Sequence, residues 1–393
     1  MTIPRSELAP RLITDPSPPA DTLVISLPAP SPCGAEATEA RPGFIVREDE
    51  PRNLESPVSA LHDFVTATDS FYVRNHFPEP EIDPATWRLT VEGAVERAIG
   101  LTYRELLAMP SRSLTATLEC AGNGRAFLDP KAHGAQWAVG AVGNAEWTGV
   151  RLSEVLARAG LAPNAVAVIL EGADQGEVEG DPCSPGAIRY AHSLPVAKAC
   201  SGEVLIAYQM NGAALTRAHG FPVRVIVPGW YGMVSVKWLQ RLVVTDQPFH
   251  GFFESVHYTR WERPQGTPTL CPITEMQVKA VILDPAVGAT IAAGAPLTIS
   301  GRAWTGTGTI ARVELSVDRG RTWTDARLTS PALEYAWRAW ECEWTAPAPG
   351  CHELMARATD TSGRTQPMQR DPDRRHYEIT HVGTTPIVVT EEG

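Results

Sequence analysis

The chain has 393 residues, enough for two folded domains with cores that need no disulfide staples. Its 45 Asp and Glu against 34 Lys and Arg leave a formal charge of −11, and no stretch gathers Lys and Arg into the basic face that nucleic acid or an anionic membrane surface requires. Hydrophobic residues make up 43% of the chain, yet no apolar run approaches the roughly 20 residues needed to cross a bilayer.

Residues 1–45 carry Pro at 4, 10, 16, 18, 19, 28, 30, 32 and 42 among Ala, Ser and Glu. Such a composition cannot bury enough apolar area to offset its ordering entropy, so a flexible arm is expected there. No charged stretch followed by an apolar core opens the chain, so the expected compartment is the cytoplasm, or the periplasm if a leader precedes the sequence given. From 46 to 262 strands and helices mix. Trp87–Gly93 alternates like a strand, and Thr102 caps an amphipathic stretch, Tyr103–Met109, that Pro110 stops. Ser153–Ala159 has helical spacing up to Gly160, and Val166–Leu170 and Val223–Val227 read as short buried strands. Residues 259–276, with Pro264, Gly266, Pro268 and Pro272, read as a linker. Beyond it, Leu297–Ser300, Ala311–Val317, Arg338–Trp344 and Leu354–Thr359 alternate between Gly, Pro and Asp turns, as in an immunoglobulin-like sandwich of about seven strands. Asp318-Arg319-Gly320 supplies its clearest hairpin turn. The expected fold is α+β over 46–262, followed by the sandwich over 263–393.

Seven cysteines (33, 120, 183, 200, 271, 342 and 351) form no C-x-x-C pair, so neither a zinc ribbon, a thioredoxin-type motif nor a covalently attached c-type haem is encoded. Most thiols are expected to be reduced, although Cys342 and Cys351 lie close enough in a strand-rich region to allow a disulfide. The most unusual local text is Thr117-Leu118-Glu119-Cys120-Ala121-Gly122-Asn123-Gly124-Arg125. Two glycines and an Asn free the backbone and let a bulky group approach the sulfur, whereas the ordinary fate of a lone Cys is a buried structural thiol.

Three segments together decide between these readings. Phe71-Tyr72-Val73-Arg74-Asn75-His76-Phe77-Pro78, Cys120-Ala121-Gly122-Asn123 and His219-Gly220-Phe221-Pro222-Val223-Arg224 resemble the signature of the sulfite oxidase family of molybdenum enzymes. Trp137, Glu171–Asp174, Ala207–Gly212 and Val236–Trp238 follow in the same order as in that family, and Gly301–Trp304 with Ser316–Trp323 resembles its dimerisation domain. The resemblance implies a homodimer that oxidises sulfite to sulfate by oxygen-atom transfer at a molybdenum–molybdopterin centre. It implies no haem in this part of the chain, and electrons passed to an external acceptor, for which a cytochrome c is one candidate.

By the same resemblance Cys120 is the metal ligand, a soft thiolate suited to molybdenum. Arg74 and Arg125 hold the substrate oxyanion, a task suited to a planar guanidinium that cannot lose its proton. Tyr208 donates its hydroxyl near the reacting centre and Trp137 forms the pocket wall. Tyr72, Val73, Arg74, Asn75, His76, Asp174, His219, Arg224, Ser235, Val236 and Lys237 bind the cofactor. Three departures bear on the substrate: His133 stands where the family's animal enzymes have Lys, Ala138 follows Trp137 where they have Arg, and the family's third substrate arginine falls where this chain reads Arg374-Arg375-His376-Tyr377-Glu378-Ile379, with Arg374 or Arg375 the candidate replacement. Two rivals remain at this point, a reductase of nitrate or of a sulfoxide on the same cofactor, and a cofactor-free binding protein.

Overall fold

A short hairpin, β1 (Ile45–Glu48) and β2 (Asn53–Glu55), opens the residues that the computed structural model describes, 43–346 and 348–391. Nearly all of the expected Pro-rich arm, and Cys33, lie outside them. Next, β3 (Arg88–Gly93) pairs antiparallel with β4 (Ile99–Thr102). Thr102 then caps α1 (Tyr103–Leu107): its hydroxyl accepts from the Glu105 N–H while the Glu105 carboxylate accepts from the Thr102 N–H. The helix stops two residues before the expected Met109, because a residue that precedes proline is pushed out of the helical region.

The long antiparallel pair β5 (Ser111–Glu119) and β6 (Val142–Arg151) follows. In α2 (Leu152–Ala159), Leu152, Val155, Leu156 and Ala159 form the buried stripe, and Gly160 ends the helix with φ at 71°. The remaining elements of this half are β7 (Ala167–Gly176), β8 (Ile188–Pro195), α3 (Val196–Ala199), β9 (Leu205–Met210), β10 (Ala213–Ala214), β11 (Arg224–Ile226) and β12 (Leu239–Thr245). They complete two five-stranded sheets, β4-β3-β12-β7-β8 and β10-β9-β6-β5, the second with β11 beside β9. β7 outruns the expected Val166–Leu170 because its pairing with β8 shifts register between Glu171 and Gln175, where polar residues hide the strand's alternation. Among the described residues the α-helices are only five, eight and four residues long, so the α+β expectation leans strongly toward β.

The expected linker over 259–276 is instead an antiparallel hairpin, β13 (Thr259–Glu262) with β14 (Thr269–Pro272). Its Pro264–Gly266 turn accounts for the breaker residues, and Tyr258, Ile273 and Met276 anchor its base in the core. The C-terminal strands are β15 (Lys279–Asp284), β16 (Thr290–Ala292), β17 (Pro296–Trp304), β18 (Ile310–Ser316), β19 (Thr324–Asp325), β20 (Arg327–Leu328), β21 (Arg338–Thr345), β22 (Gly350–Asp360) and β23 (Thr385–Thr390). They form a four-stranded sheet, β15-β17-β21-β20, and a five-stranded one, β16-β23-β22-β18-β19. Ile299, Val313, Trp340, Leu354 and Ile387 lie in their shared core. The turn after β18 uses Arg319 and Gly320 at φ 63° and 79°, with the Asp318 carboxylate accepting from the Arg321 and Thr322 N–H groups. Cys342 and Cys351 are both free thiols: Cys342 faces Ile299 in the first sheet, and Cys351 faces Val388 in the second.

Candidate active site

Strand β5 ends in the Cys120 loop. Leu118 and Cys120 line one cleft, whereas Thr117 and Glu119, on the opposite face of the same strand, bond to the sandwich. Counted together with its opening to solvent, the cleft spans about 630 Å³. Of the fifteen residues expected at the site, ten line it: Cys120 at the floor, Tyr72, Arg74, Asn75 and His76 on one wall, and Asp174, His219, Arg224, Ser235 and Lys237 on the other.

The first wall is fixed by its backbone. Val73 exchanges two hydrogen bonds of 2.9 Å with Leu54, which spends the Val73 peptide on β2 and alternates Tyr72 and Arg74 toward the cleft. The Asn75 N–H donates to Asn53 Oδ1 at 2.7 Å, and His76 Nε2 lies 2.7 Å from the Tyr258 hydroxyl. On the other wall, the register shift in β7 carries Asp174, whose Oδ1 is buried without a partner. Val236 contributes only backbone, accepting from Val225 N–H at 2.8 Å, and its buried side chain packs in the core.

Four cations surround this cleft and its floor, and each is held by neutral oxygen. Arg74 donates to Asn75 O and to Asn53 Oδ1. Arg224 donates to His219 O at 3.2 Å and to Ser235 O at 2.9 Å, leaving Nε buried and without a partner. Lys237 donates to Asn75 Oδ1 and to Ala218 O, and Arg125 donates to Ala135 O at 2.9 Å and His376 O at 3.2 Å. Among the described residues none of the four forms an ion pair, in a chain whose net charge is −11. Burial pushes Lys237 well down and Asp174 well up, each shift partly offset by the opposite charge of the other.

Arg125 does not line the cleft. It lies behind the Cys120 loop, with its guanidinium 5.2 Å from the centre of the Tyr377 ring and with room made by Gly122 and Gly134. It still acts on the sulfur: burial raises the Cys120 thiol, and Arg74 and Arg125 pull it back down. Trp137 is fully buried in the same core cluster as Cys120 and does not reach the cleft.

Tyr208 is a correction. Leu205 and Ala207 of β9 pack in the cluster that contains Cys120, whereas Ile206 and Tyr208 point through the sheet into the other cluster, on the face away from the thiol. The phenol side chains that line the cleft are those of Tyr72, Tyr190 and Tyr258. Arg374 and Arg375 are also corrected. Arg374 pairs with Glu378 and Asp371, and Arg375 bonds to Thr259, so neither replaces a third substrate cation. Their segment instead turns Tyr377 inward, through positive φ at Arg375 and Glu378, so that its hydroxyl meets His257 Nδ1 at 3.1 Å. Burial, reinforced by Arg74, holds His257 down to about 3, and burial reinforced by Arg125 holds His376 down to about 4. The two histidines on this side are therefore neutral. Tyr190 and Tyr258 could be found only in part from sequence: Tyr190 and His192 share one face of β8, but nothing local marks His257, Tyr258 or Tyr377.

The donor set fits an anionic cofactor bearing a soft metal. No cluster of three or more His, Cys, Asp or Glu side chains among the described residues could hold a metal, so one bound at Cys120 would take its other ligands from the cofactor. The orphaned Asp174 Oδ1 is placed to accept N–H donors, and Arg224 and Lys237 are placed to meet a phosphate.

Residues 76–253 match the family model of the oxidoreductase molybdopterin binding domain, and residues 271–373 that of the Mo-co oxidoreductase dimerisation domain. The chain is 36% identical over 346 residues to a sulfite oxidase of Gallus gallus, covering 83% of this chain and 73% of that protein. A sulfite oxidase of Arabidopsis thaliana is 34% identical over 352 residues, covering 83% of this chain and 88% of its own length. The mitochondrial sulfite oxidase of Homo sapiens is 36% identical, and only 62% of it is spanned. Among solved structures, the sulfane dehydrogenase SoxCD from Paracoccus pantotrophus superposes with a TM-score of 0.72 at 31% identity, covering 85% of this chain and 83% of that one.

Proposed function

The chain belongs to the sulfite oxidase family of molybdopterin oxidoreductases, and on that premise we propose that it oxidises sulfite to sulfate, with Cys120 as the protein ligand to molybdenum. The observation that carries this reading is the set of four cations around one thiol, Arg125 and Arg224 buried and Arg74 and Lys237 half-buried, whose hydrogen bonds go only to neutral oxygens. Desolvated positive charge without a carboxylate partner is costly, and an anionic ligand is what removes the cost.

The four divide by position. Arg224 and Lys237, with Asp174, face the cofactor phosphate and pterin. Arg74 lines the cleft and Arg125 adds its charge from behind the loop, so together they form the positive clamp for an oxyanion beside Cys120, Arg74 by contact and Arg125 through its field. When bound, the molybdenum centre supplies two-electron oxygen-atom transfer. Overall, sulfite takes one oxygen from water and releases two electrons and two protons. Neutral His76, bonded to Tyr258, and neutral His257, bonded to Tyr377, hold the wall in place without adding charge that would trap the doubly charged product. The electrons leave to a separate acceptor, for which the chain's negative charge favours a basic redox protein such as a cytochrome c. The sandwich pairs two copies.

One observation favours a second reading. With Tyr377 and His257 where a third cation was expected, the site also suits a less highly charged sulfur substrate, as the likeness to a sulfane dehydrogenase would have it. The test is ferricyanide reduction by the purified, molybdenum-loaded chain with sulfite or with a small persulfide as donor, beside nitrate and methionine sulfoxide as oxidants of the reduced enzyme. Turnover with sulfite at the highest kcat/KM supports the first reading. A persulfide preference moves the substrate, and activity with nitrate or sulfoxide alone overturns both.

A further inference from the structure

We propose that the C-terminal sandwich is part of the catalytic centre, with Lys279 and Trp304 gripping Glu119 so as to set the position of the adjoining Cys120. The proposal rests on the reading that Cys120 is the molybdenum ligand.

Strand β5 is the partition between cofactor cleft and sandwich. Because side chains alternate, whatever holds Thr117 and Glu119 on one face fixes where Leu118 and Cys120 sit on the other. The hold is extensive. The Thr117 N–H donates to Tyr335 O at 2.8 Å, and Thr117 Oγ1 accepts from the Trp337 N–H at 2.9 Å. Glu119 is 1% exposed, and its carboxylate is fully engaged: Oε1 accepts from Lys279 Nζ at 2.8 Å and Asn123 Nδ2 at 3.1 Å, and Oε2 accepts from Trp304 Nε1 at 2.9 Å. Lys279 also donates to Asn123 O at 3.0 Å, so a single ammonium ties both ends of the 119–123 loop that carries the thiol. The Glu378 N–H completes the hold, donating to Ala121 O at 2.8 Å.

A buried ion pair is a poor device for simple adhesion between two domains, since apolar side chains of the same volume stabilise as well or better. Its best attested use is to fix register, through bonds with direction. Here the direction is toward the residue beside the thiol. Lys279 and Trp304 are therefore positioning residues: they touch neither substrate nor cofactor, and they act through Glu119.

The test uses full-length, molybdenum-loaded protein. Lys279→Met is expected to lower kcat for sulfite about tenfold or more with KM within about twofold, since a displaced ligand slows chemistry without removing the anion site. It is also expected to change the electron paramagnetic resonance spectrum of the half-reduced metal, which a purely structural contact would leave as in the wild type. Trp304→Phe keeps the ring and removes only the N–H, so it decides the matter if Lys279→Met does not fold, and the same two changes are expected at smaller size. Cys120→Ser is measured alongside. An altered spectrum in Cys120→Ser with wild-type spectra and kcat in both sandwich variants would overturn the clamp alone. A wild-type spectrum in Cys120→Ser would overturn the ligand reading and the clamp with it.

Discussion

Gly122→Ala tests the substrate clamp through a residue that bears no functional group. A Cβ at position 122 would stand 2.4 Å from Arg125 Nη2 and 2.6 Å from its Cζ, well inside contact distance. An arginine tip can usually swing aside, but this one is pinned by Ala135 O at 2.9 Å, by His376 O at 3.2 Å and by the Tyr377 ring on its face. Gly134 leaves no slack either, since even a Cβ there would lie 2.9 Å from Nη1. The guanidinium must therefore leave its place behind Cys120. Displacing a positive charge that acts at the sulfur weakens the anion site by up to about 1.5–3 kcal/mol, the range of a charge-assisted contact, so the sulfite KM is expected to rise by up to roughly 10- to 150-fold. Steady-state kinetics normalised to molybdenum content measure it. A KM within about twofold of wild type, in folded and loaded protein, would refute the placement of Arg125 in the clamp.

Arg74→Gln, which removes the other cation, is expected to raise the sulfite KM by at least about tenfold, and an unchanged KM would return Arg74 to a structural role. Cys120→Ser should melt like the wild type yet show no sulfite turnover, because a hydroxyl is a poor ligand for a soft metal; retained turnover would contradict the ligand assignment. Burial lowers His192 from 6.5 to about 3, with its Nε2 unpartnered, so the folded protein keeps it neutral while the unfolded chain takes up a proton. That contribution to stability is whole above pH 6.5 and fades as pH falls toward 3, at about 1.4 kcal/mol per pH unit. Between pH 6.5 and 4.5, denaturant titrations should show His192→Phe losing about 2–3 kcal/mol less than wild type, and parallel curves would be the contrary result. Thr102→Ala removes the cap of α1 and should lower stability by about 1 kcal/mol in the same titration.

What the sequence made legible was local or carried by motif. The cap at Thr102, and the helical spacing of Ser153–Ala159 ending at Gly160, are short-range signals, and the helices they announce are present within two residues. The motif match likewise named ten residues that line one cleft. The misreadings have a common cause in three-dimensional direction. Tyr208 lies one step along β9 from Ala207, and that single step points it to the other face of the sheet. Arg374 and Arg375 carry the expected charge, but a turn through positive φ presents Tyr377 in their stead. The breaker residues near 264 mark the tip of a hairpin, which looks the same in composition as a linker. Lys279 and Trp304 stand 160 and 185 positions from Glu119, beyond any local signal.

The central claim is that the cleft at Cys120 holds a molybdenum–pterin cofactor that oxidises sulfite. Its most direct test is metal and pterin analysis of the purified full-length chain, made in cells that synthesise the cofactor, joined to sulfite-dependent ferricyanide reduction by the same sample. Stoichiometric molybdenum and pterin with sulfite turnover is the result expected. A folded chain that carries neither, or carries both and leaves sulfite untouched, would contradict it.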